Sequence, residues 1–313
     1  MAAPTSSRLI VPAAFWLGLT AALLALWLSG QAGRAWEVVR DARLAALPLV
    51  VMLGVALPVI HAIRWRVVMR ALGTDVSPLL AADLTVSASL VNYASPGYLG
   101  APAMAFLANR TAGAPWSRSL LSLAFEQGLD FLVLLAGSTI ALALLGPDRI
   151  GDIVPELGRT AQFGIGLLAV ISGVLFLLAG RDRIARGAKR IVEAFRALGG
   201  RVDWRIIGVL TLAKWLAQAG VVGLLLWALR LPTDLTTLLS LATLPLLIGQ
   251  LVPLPGGVGA REAAIVALSG ATGAGAAGLL GLAVLQRVLL VAALPLSLGM
   301  LRLARAAGFG GTP

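Results

Sequence analysis

The sequence predicts an all-α polytopic membrane protein with about six full spans, two re-entrant broken-helix pairs and an inverted repeat. The 313-residue chain is 59% hydrophobic and only 12% charged, and its long apolar stretches include two that Pro and Gly interrupt at related positions. A typical soluble domain carries about twice that charged fraction. The composition therefore excludes an ordinary soluble enzyme, a disordered protein and a nucleic-acid-binding domain, despite a net charge of +11.

Six apolar stretches have the length of about 20 residues that a transmembrane helix needs. They cover residues 11–29, 44–63, 119–145, 161–179, 206–229 and 277–301. The first is interpreted as a retained span, because no convincing cleavage site of small residues follows it. No polar stretch is long enough for a separate soluble domain. We therefore expect one transmembrane domain over residues 1–313, with repeat halves at about 10–150 and 155–305.

The connecting segments differ in charge and predict the orientation. Segment 180–205 carries a net charge of +5 and segment 64–75, which includes Arg64, carries +2, whereas segment 147–160 carries −1. Excess Lys and Arg marks cytoplasmic loops. We expect both termini and segment 180–205 to be cytoplasmic. Segment 30–43 would then lie outside, and its pattern is typical of a short interfacial helix.

Two apolar regions, 76–108 and 235–269, are each interrupted by a cluster of Pro and Gly. Pro lacks an amide donor and Gly is conformationally free, so both clusters should break a helix. The segment after each break is too short for a hydrocarbon core of about 30 Å, which favours re-entrant half-helices over full spans. The alternative is a simple kink, which five Pro or Gly residues among positions 253–259 make less attractive. Broken backbone at membrane depth is tolerated only beside protein or a water-filled cavity, so both breaks are candidate sites.

The two breaks resemble each other at an offset of 159 residues. Segment 96–101 and segment 255–260 share the pattern Pro-Gly-x-aliphatic-Gly-Ala, and an amide residue shortly precedes each break. Three full spans per half would invert the second half, and inverted repeats with broken helices are the construction of many secondary transporters. The candidate substrate-binding residues at the breaks are Asn92, Pro96, Gly97, Gly100, Gln250, Pro255, Gly256, Gly257 and Gly259.

Ionisable residues inside the apolar spans are a second candidate set, because their burial is costly and they usually face a cavity or a partner. The sequence leaves three pairings open: Glu126 with Arg287, Lys214 with Asp130, and Glu262 with Arg261. Such pairs could simply stabilise the bundle. Functionally, Arg261 and Glu262 begin the half-helix after the second break. There the amides of 258–260 and the helix dipole would attract a phosphate and Arg261 would add a bidentate donor.

Catalytic chemistry has little support in the sequence. The chain has no cysteine and one histidine, His61, so neither a thiol nucleophile nor a Cys- or His-rich metal site is expected. No nucleotide P-loop pattern is present. His61 is interpreted as an interfacial residue, with a proton relay as the alternative. We expect a protein that is not an enzyme and needs no metal or cofactor.

Segment 253–263, Pro-Leu-Pro-Gly-Gly-Val-Gly-Ala-Arg-Glu-Ala, resembles the lysylphosphatidylglycerol synthase transmembrane (flippase-like) family. That family typically has Pro-x-Pro-Gly-Gly-x-Gly-x-Arg-Glu here. Two weaker motifs occur in the expected order, the Asn and Pro/Gly turn at 92–101 and the Glu126–Asp130 spacing. Ala101 and Gln127 stand where the family usually has Glu and Arg. The resemblance covers roughly residues 10–305.

The resemblance implies the lipid-translocating part of such proteins and not the synthase. We expect an inner-membrane flippase or transporter for an anionic or a polyprenyl- or hopanoid-type lipid, with Glu262, Glu126, Asp130 and Arg287 lining or gating the path. The alternative is a membrane scaffold subunit that transports nothing and binds a lipid- or glycan-modifying enzyme. An intramembrane transferase would need a reactive cluster that the sequence lacks.

Overall fold

A computed structural model describes residues 31–94, 100–151, 181–251 and 260–307, and this part of the chain is helical with short connections. The predicted spans at 11–29 and 161–179 lie outside the described residues. So do the centres of the two Pro/Gly breaks, at 95–99 and 252–259.

The first described helices are α1, Gln31–Arg40, and α2, Leu47–Ala71, joined through a 3-10 turn at Leu44–Ala46. The short helix expected in segment 30–43 is thus present. The expected loop at 64–75 is wrong, because α2 continues to Ala71. Arg64 is fully buried there and forms salt bridges to carboxylates on another helix, so its charge does not end the span.

Helices α3, Pro78–Ala94, and α4, Gly100–Ala112, flank the first break. Ser77 accepts a hydrogen bond from the Leu80 amide at the start of α3. The two helices approach closely where α4 begins. A Cβ atom on Gly100 would lie 2.8 Å from Asn92 Cβ and 3.0 Å from the Ala88 carbonyl oxygen. Gly100 is therefore required for this packing.

Helix α5, Trp116–Gly151, is 36 residues long and departs from helical geometry at Gly146, which has a φ of 76° and precedes Pro147. Helix α6, Arg181–Leu198, lies in the basic segment that was expected to be a loop. Its buried residues Ala194 and Leu198 belong to a core cluster with Phe125 of α5. The basic segment is thus partly folded against the bundle.

The second half begins with α7, Trp204–Ala228, whose first turn is capped by the Asp203 carboxylate. Helix α8, Leu235–Leu251, follows after Asp234, which accepts hydrogen bonds from the Thr237 amide and hydroxyl at 3.0 and 2.7 Å. Beyond the second break come α9, Ala260–Ala267, the single turn α10, Ser269–Thr272, and the long α11, Ala276–Ala306.

Four helices in the described part of the chain are long and apolar enough to cross a membrane. They are Leu44–Ala71, Trp116–Arg149, Trp204–Ala228 and Ala276–Ala304. They correspond to the second, third, fifth and sixth predicted spans. The 17-residue helices α3 and α8 would reach only about 25 Å, and α4 and α9 are shorter still. Their re-entrant placement stays a prediction.

Helix α2 is the centre of the bundle and packs on α3, α7 and α11, while α5 packs along α8. The α5–α8 contact is close, since a Cβ atom on Gly137 would lie 2.8 Å from Thr243 Cγ2. The largest apolar core joins α7, α8 and α11 around residues such as Leu225, Leu241 and Leu279. This packing brings the polar residues of α2, α5 and α7 together.

Candidate functional site

Five side chains from α2, α5 and α7 meet in what we call the central charge cluster: His61, Arg64, Glu126, Asp130 and Lys214. Arg64 donates to both carboxylates, from Nε to Glu126 Oε1 at 3.0 Å and from Nη1 and Nη2 to the two Asp130 oxygens at 2.9 Å each. Lys214 donates to Asp130 Oδ2. Two cations thus neutralise two carboxylates.

The central charge cluster lies away from the ends of three helices that are long and apolar enough to cross a membrane. At a rise of about 1.5 Å per residue, Arg64 is roughly 10 Å from the end of α2 at Ala71. Glu126 and Lys214 are each about 15 Å from the first residue of their helices. Arg64 is fully buried and Glu126 is 1% exposed. Burying charged side chains in a membrane span is costly, so these residues are candidates for a function.

His61 completes the cluster beside Glu126. Its Nε2 atom lies 3.4 Å from Glu126 Oε2, and that carboxylate oxygen accepts no hydrogen bond among the described residues. A quarter of the His61 side chain is exposed. The interpretation of His61 as an interfacial residue is therefore wrong, because its ring contacts a buried carboxylate.

A second group, the α9 cluster, forms where the half-helix follows the second break. Arg287 of α11 donates to Glu262 at 2.9 Å, and Arg261 donates from Nη2 to Gln286 Oε1 at 2.9 Å. Glu262 and Arg287 are each about a quarter exposed. The cluster thus ties the first turn of α9 to the middle of α11.

Gln286 gives the α9 cluster an unused donor. Its side chain is 2% exposed, and Nε2 is buried without a hydrogen-bond partner in the described part of the chain. A buried amide without a partner is costly, which makes it a feature to explain. With Arg261 and the positive end of α9, this donor favours an anion.

The structure selects among the pairings that the sequence left open. Lys214 pairs with Asp130, as one alternative had it. Glu126 pairs with Arg64, and Glu262 pairs with Arg287. The alternatives of Glu126 with Arg287 and of Glu262 with Arg261 are replaced by these contacts.

The predicted residues of the two breaks are only partly described. Asn92, which is half-buried, lies against Gly100, and Gln250 is half-buried near the end of α8. Six further candidates lie outside the described residues: Pro96, Gly97, Pro255, Gly256, Gly257 and Gly259. Their part in a site stays a prediction.

An apolar groove of about 270 Å³ opens between α5 and α7 beside the central charge cluster. Its lining includes Leu129, Ile207, Leu212 and Trp215, together with Thr211. The Thr211 hydroxyl also accepts a hydrogen bond from Arg64 at 3.3 Å. Thr211 therefore lines the groove and also contacts Arg64 of the central charge cluster.

Comparison with known proteins gives a family. The model of the lysylphosphatidylglycerol synthase TM region matches residues 15–299. The chain belongs to this family. No curated protein and no solved structure matches it. Together with the four apolar helices, family membership makes this a multi-pass membrane protein related to membrane lipids.

Two departures from the usual pattern of the lysylphosphatidylglycerol synthase TM family have a structural context. Gln127, at the position usually held by Arg, is exposed on α5, and Ala101 is half-buried near the start of α4. The carboxylates of the central charge cluster are paired with Arg64 and Lys214.

Sequence reasoning named Lys214 only as a pairing partner of Asp130, and it left Arg64, His61 and Gln286 out of the candidate site. His61 and Arg64 are three residues apart, so on a continuous helix they share one face, and this spacing could have indicated that they act together. The sequence prediction ended the span at residue 63 and placed Arg64 in a loop, so the shared face was not recognised.

Proposed function

We propose that this protein moves an anionic or polyprenyl- or hopanoid-type lipid across the bacterial inner membrane, and a lipid with a phosphate-bearing headgroup fits the site best. The observation that carries the proposal is the α9 cluster. Arg261 and the buried Gln286 amide lie together at the N-terminus of a short helix in a membrane protein of a lipid-related family. Helix N-termini at broken helices are where many transporters bind anionic groups.

The charges of the two clusters supply a polar route for a headgroup. Lys214 is about one-fifth exposed, and Glu262 and Arg287 about one-quarter, so these side chains are accessible while Arg64 is not. We assign the α9 cluster to headgroup binding and the central charge cluster to gating. The apolar groove between α5 and α7 would hold a chain of the lipid, whose tails stay in an apolar environment.

The inverted repeat is part of the proposal, and the helix contacts support it. The lengths of α2, α3, α4 and α5 follow the order long, short, short, long. The same order of helix lengths is repeated in α7, α8, α9 and α11. Helix α3 packs on α11 while its counterpart α8 packs on α5, and α2 packs on α5 while α7 packs on α11. The first two contacts cross between the halves and the last two lie within one half each, and both sets are what two equivalent, intertwined halves would form. The proposal further holds that both termini are cytoplasmic and that the protein is not an enzyme.

A liposome assay tests the proposal. Purified protein is reconstituted into phosphatidylcholine vesicles with a trace of fluorescent phosphatidylglycerol or fluorescent polyprenyl phosphate, and dithionite quenches the outer leaflet. We expect faster loss of the inner-leaflet signal than in protein-free vesicles and in vesicles with an unrelated polytopic protein. Rates equal to both controls for both probes would contradict transport. A lipid- or glycan-modifying enzyme that then copurifies with the protein would favour the scaffold alternative.

A further inference from the structure

The contact between His61 and Glu126 has the geometry of a proton-binding pair. Glu126 uses Oε1 to accept from Arg64 and directs Oε2 toward His61 Nε2, 3.4 Å away. Because Oε2 accepts no hydrogen bond from another described residue, a proton on Nε2 would satisfy it. Glu126 is almost fully buried, so His61 is its contact with the accessible edge of the cluster.

The accessible edge of His61 faces the bundle interior. Residues three before and four after it on α2, Pro58 and Trp65, are both buried. The lipid-facing side of α2 is marked by Met52, Val59 and Ile63, which are strongly exposed. Residues three or four apart share a helix face. The imidazole, a quarter of whose side chain is exposed, therefore lies on the side of α2 that faces the bundle.

One proton changes the charge of the whole cluster. The charged groups around the pair are Arg64 from α2, Asp130 from α5 and Lys214 from α7. With a neutral imidazole, two cations balance the two carboxylates, whereas an added proton leaves one positive charge. In a medium of low dielectric constant this charge strongly favours an anion nearby. Proton binding and binding of an anionic headgroup should therefore promote each other.

We propose that His61 and Glu126 form a proton-binding site, loaded through the exposed part of the imidazole, that couples proton binding to lipid movement. A hydronium ion gives its proton to the neutral imidazole and becomes water, and the resulting imidazolium donates a hydrogen bond from Nε2 to Glu126 Oε2. The proton site stands on the geometry alone, while its coupling to a lipid rests on the proposed function.

The single histidine makes the proton site directly measurable. In nanodiscs, ¹⁵N-histidine labelling gives one pair of imidazole signals, which are followed from pH 4 to 10. We expect a titration whose midpoint differs by about one pH unit or more between wild type and Glu126→Gln, because a facing carboxylate has effects of this size. Glu193→Gln, a change at an exposed carboxylate, should leave the midpoint unchanged. Equal midpoints in wild type and Glu126→Gln would overturn the site. A wild-type imidazole that does not titrate between pH 4 and 10 would also overturn the site. This second result does not depend on whether Glu126→Gln folds.

The coupling is tested in vesicles of phosphatidylcholine and fluorescent phosphatidylglycerol, with and without a gradient of one pH unit in either direction. We expect one gradient direction to accelerate wild-type translocation, by up to about tenfold for one coupled proton. In His61→Asn the ratio of the two rates should be close to one. A wild-type translocation rate that is the same with and without either pH gradient would overturn the coupling while leaving the proposed transport intact. Absence of wild-type translocation would overturn the transport itself and with it the coupling, and the histidine titration would still decide the proton site.

Discussion

Arg64 and Asp130 form a bidentate salt bridge, with two N–H donors each 2.9 Å from a different carboxylate oxygen across 66 residues of sequence. This fork geometry fixes direction as well as charge. It holds α2 and α5 together, and Lys214 adds α7 to the same carboxylate. A buried pair of this kind is weak evidence for added stability, but its disruption leaves an uncompensated charge.

Replacing Arg64 by Met should therefore destabilise the protein severely. Loss of the guanidinium leaves Glu126 and Asp130 with one cation, and breaking a buried pair costs about 3–5 kcal/mol. Thermal unfolding in detergent should show a large fall in the midpoint. Arg64→Lys should rescue only part of it, since an ammonium group cannot form the fork.

Arg70 is the matched control for Arg64. It lies on the same helix, but its side chain is half exposed and its salt bridge to Asp75 is at the surface. Arg70→Met should leave the unfolding midpoint close to that of wild type. Equal destabilisation by Arg64→Met and Arg70→Met would contradict the assigned role of the central charge cluster.

The Glu262–Arg287 salt bridge predicts energetic coupling between α9 and α11. The single changes Glu262→Gln and Arg287→Gln should each lower stability, and the double change should be less harmful than the sum of the two. Residues in direct contact show interaction energies of about 0.5–3 kcal/mol. Unfolding of all four proteins in one detergent completes the cycle, and strict additivity would argue against the contact.

Gly100→Ala should destabilise the first broken-helix pair. The new Cβ would clash with Asn92 Cβ at 2.8 Å and with a backbone oxygen of α3 at 3.0 Å, neither of which is a flexible side-chain end. Overpacking of this kind costs about 1–3 kcal/mol. Gly299→Ala is the control, because no atom lies within 4 Å of a Cβ built there. A similar unfolding midpoint for both variants would refute the close approach of α3 and α4.

Asp234→Ala should cost about 1 kcal/mol at neutral pH, the usual value of an N-terminal cap. Partial burial opposes ionisation of this carboxyl group, but hydrogen bonds from Thr237 outweigh it and lower the pKa of Asp234 below its ordinary value. The stabilisation is thus present above the ordinary pKa and is lost as pH falls through the lower folded value. Unfolding of wild type and variant at several pH values measures this. A difference that grows under acid conditions would show that the cap does not act through the carboxylate.

The sequence was sufficient for the parts of the fold that hydropathy determines. Long apolar runs predicted α5, α7 and α11 to within a few residues, because only helices satisfy their backbone in lipid. Charge patterning was less reliable at Arg64. A basic residue near a span end is normally exposed, and only the tertiary contacts show that Glu126 and Asp130 lie opposite it.

The sequence predicted which ionisable residues belong to the candidate site, but it did not predict which of them pair with each other. Glu126, Asp130, Arg261, Glu262 and Arg287 all belong to the two clusters. Their pairing depends on how helices pack, which one sequence does not contain. Gln286 is a visible polar residue of the sixth span, but its contact with Arg261 depends on how α9 packs against α11.

The central claim is that Arg261 helps bind a phosphate-bearing headgroup that the protein moves. It is tested most directly by the initial rate of fluorescent phosphatidylglycerol translocation in proteoliposomes of equal protein density. Arg261→Gln should reduce the rate about tenfold or more, since a charged hydrogen bond contributes about 1.5–3 kcal/mol. Arg110→Gln, which changes an exposed arginine at the end of α4, should keep the wild-type rate. Equal rates for wild type, Arg261→Gln and Arg110→Gln, or a wild-type rate no faster than in empty vesicles, would contradict the claim.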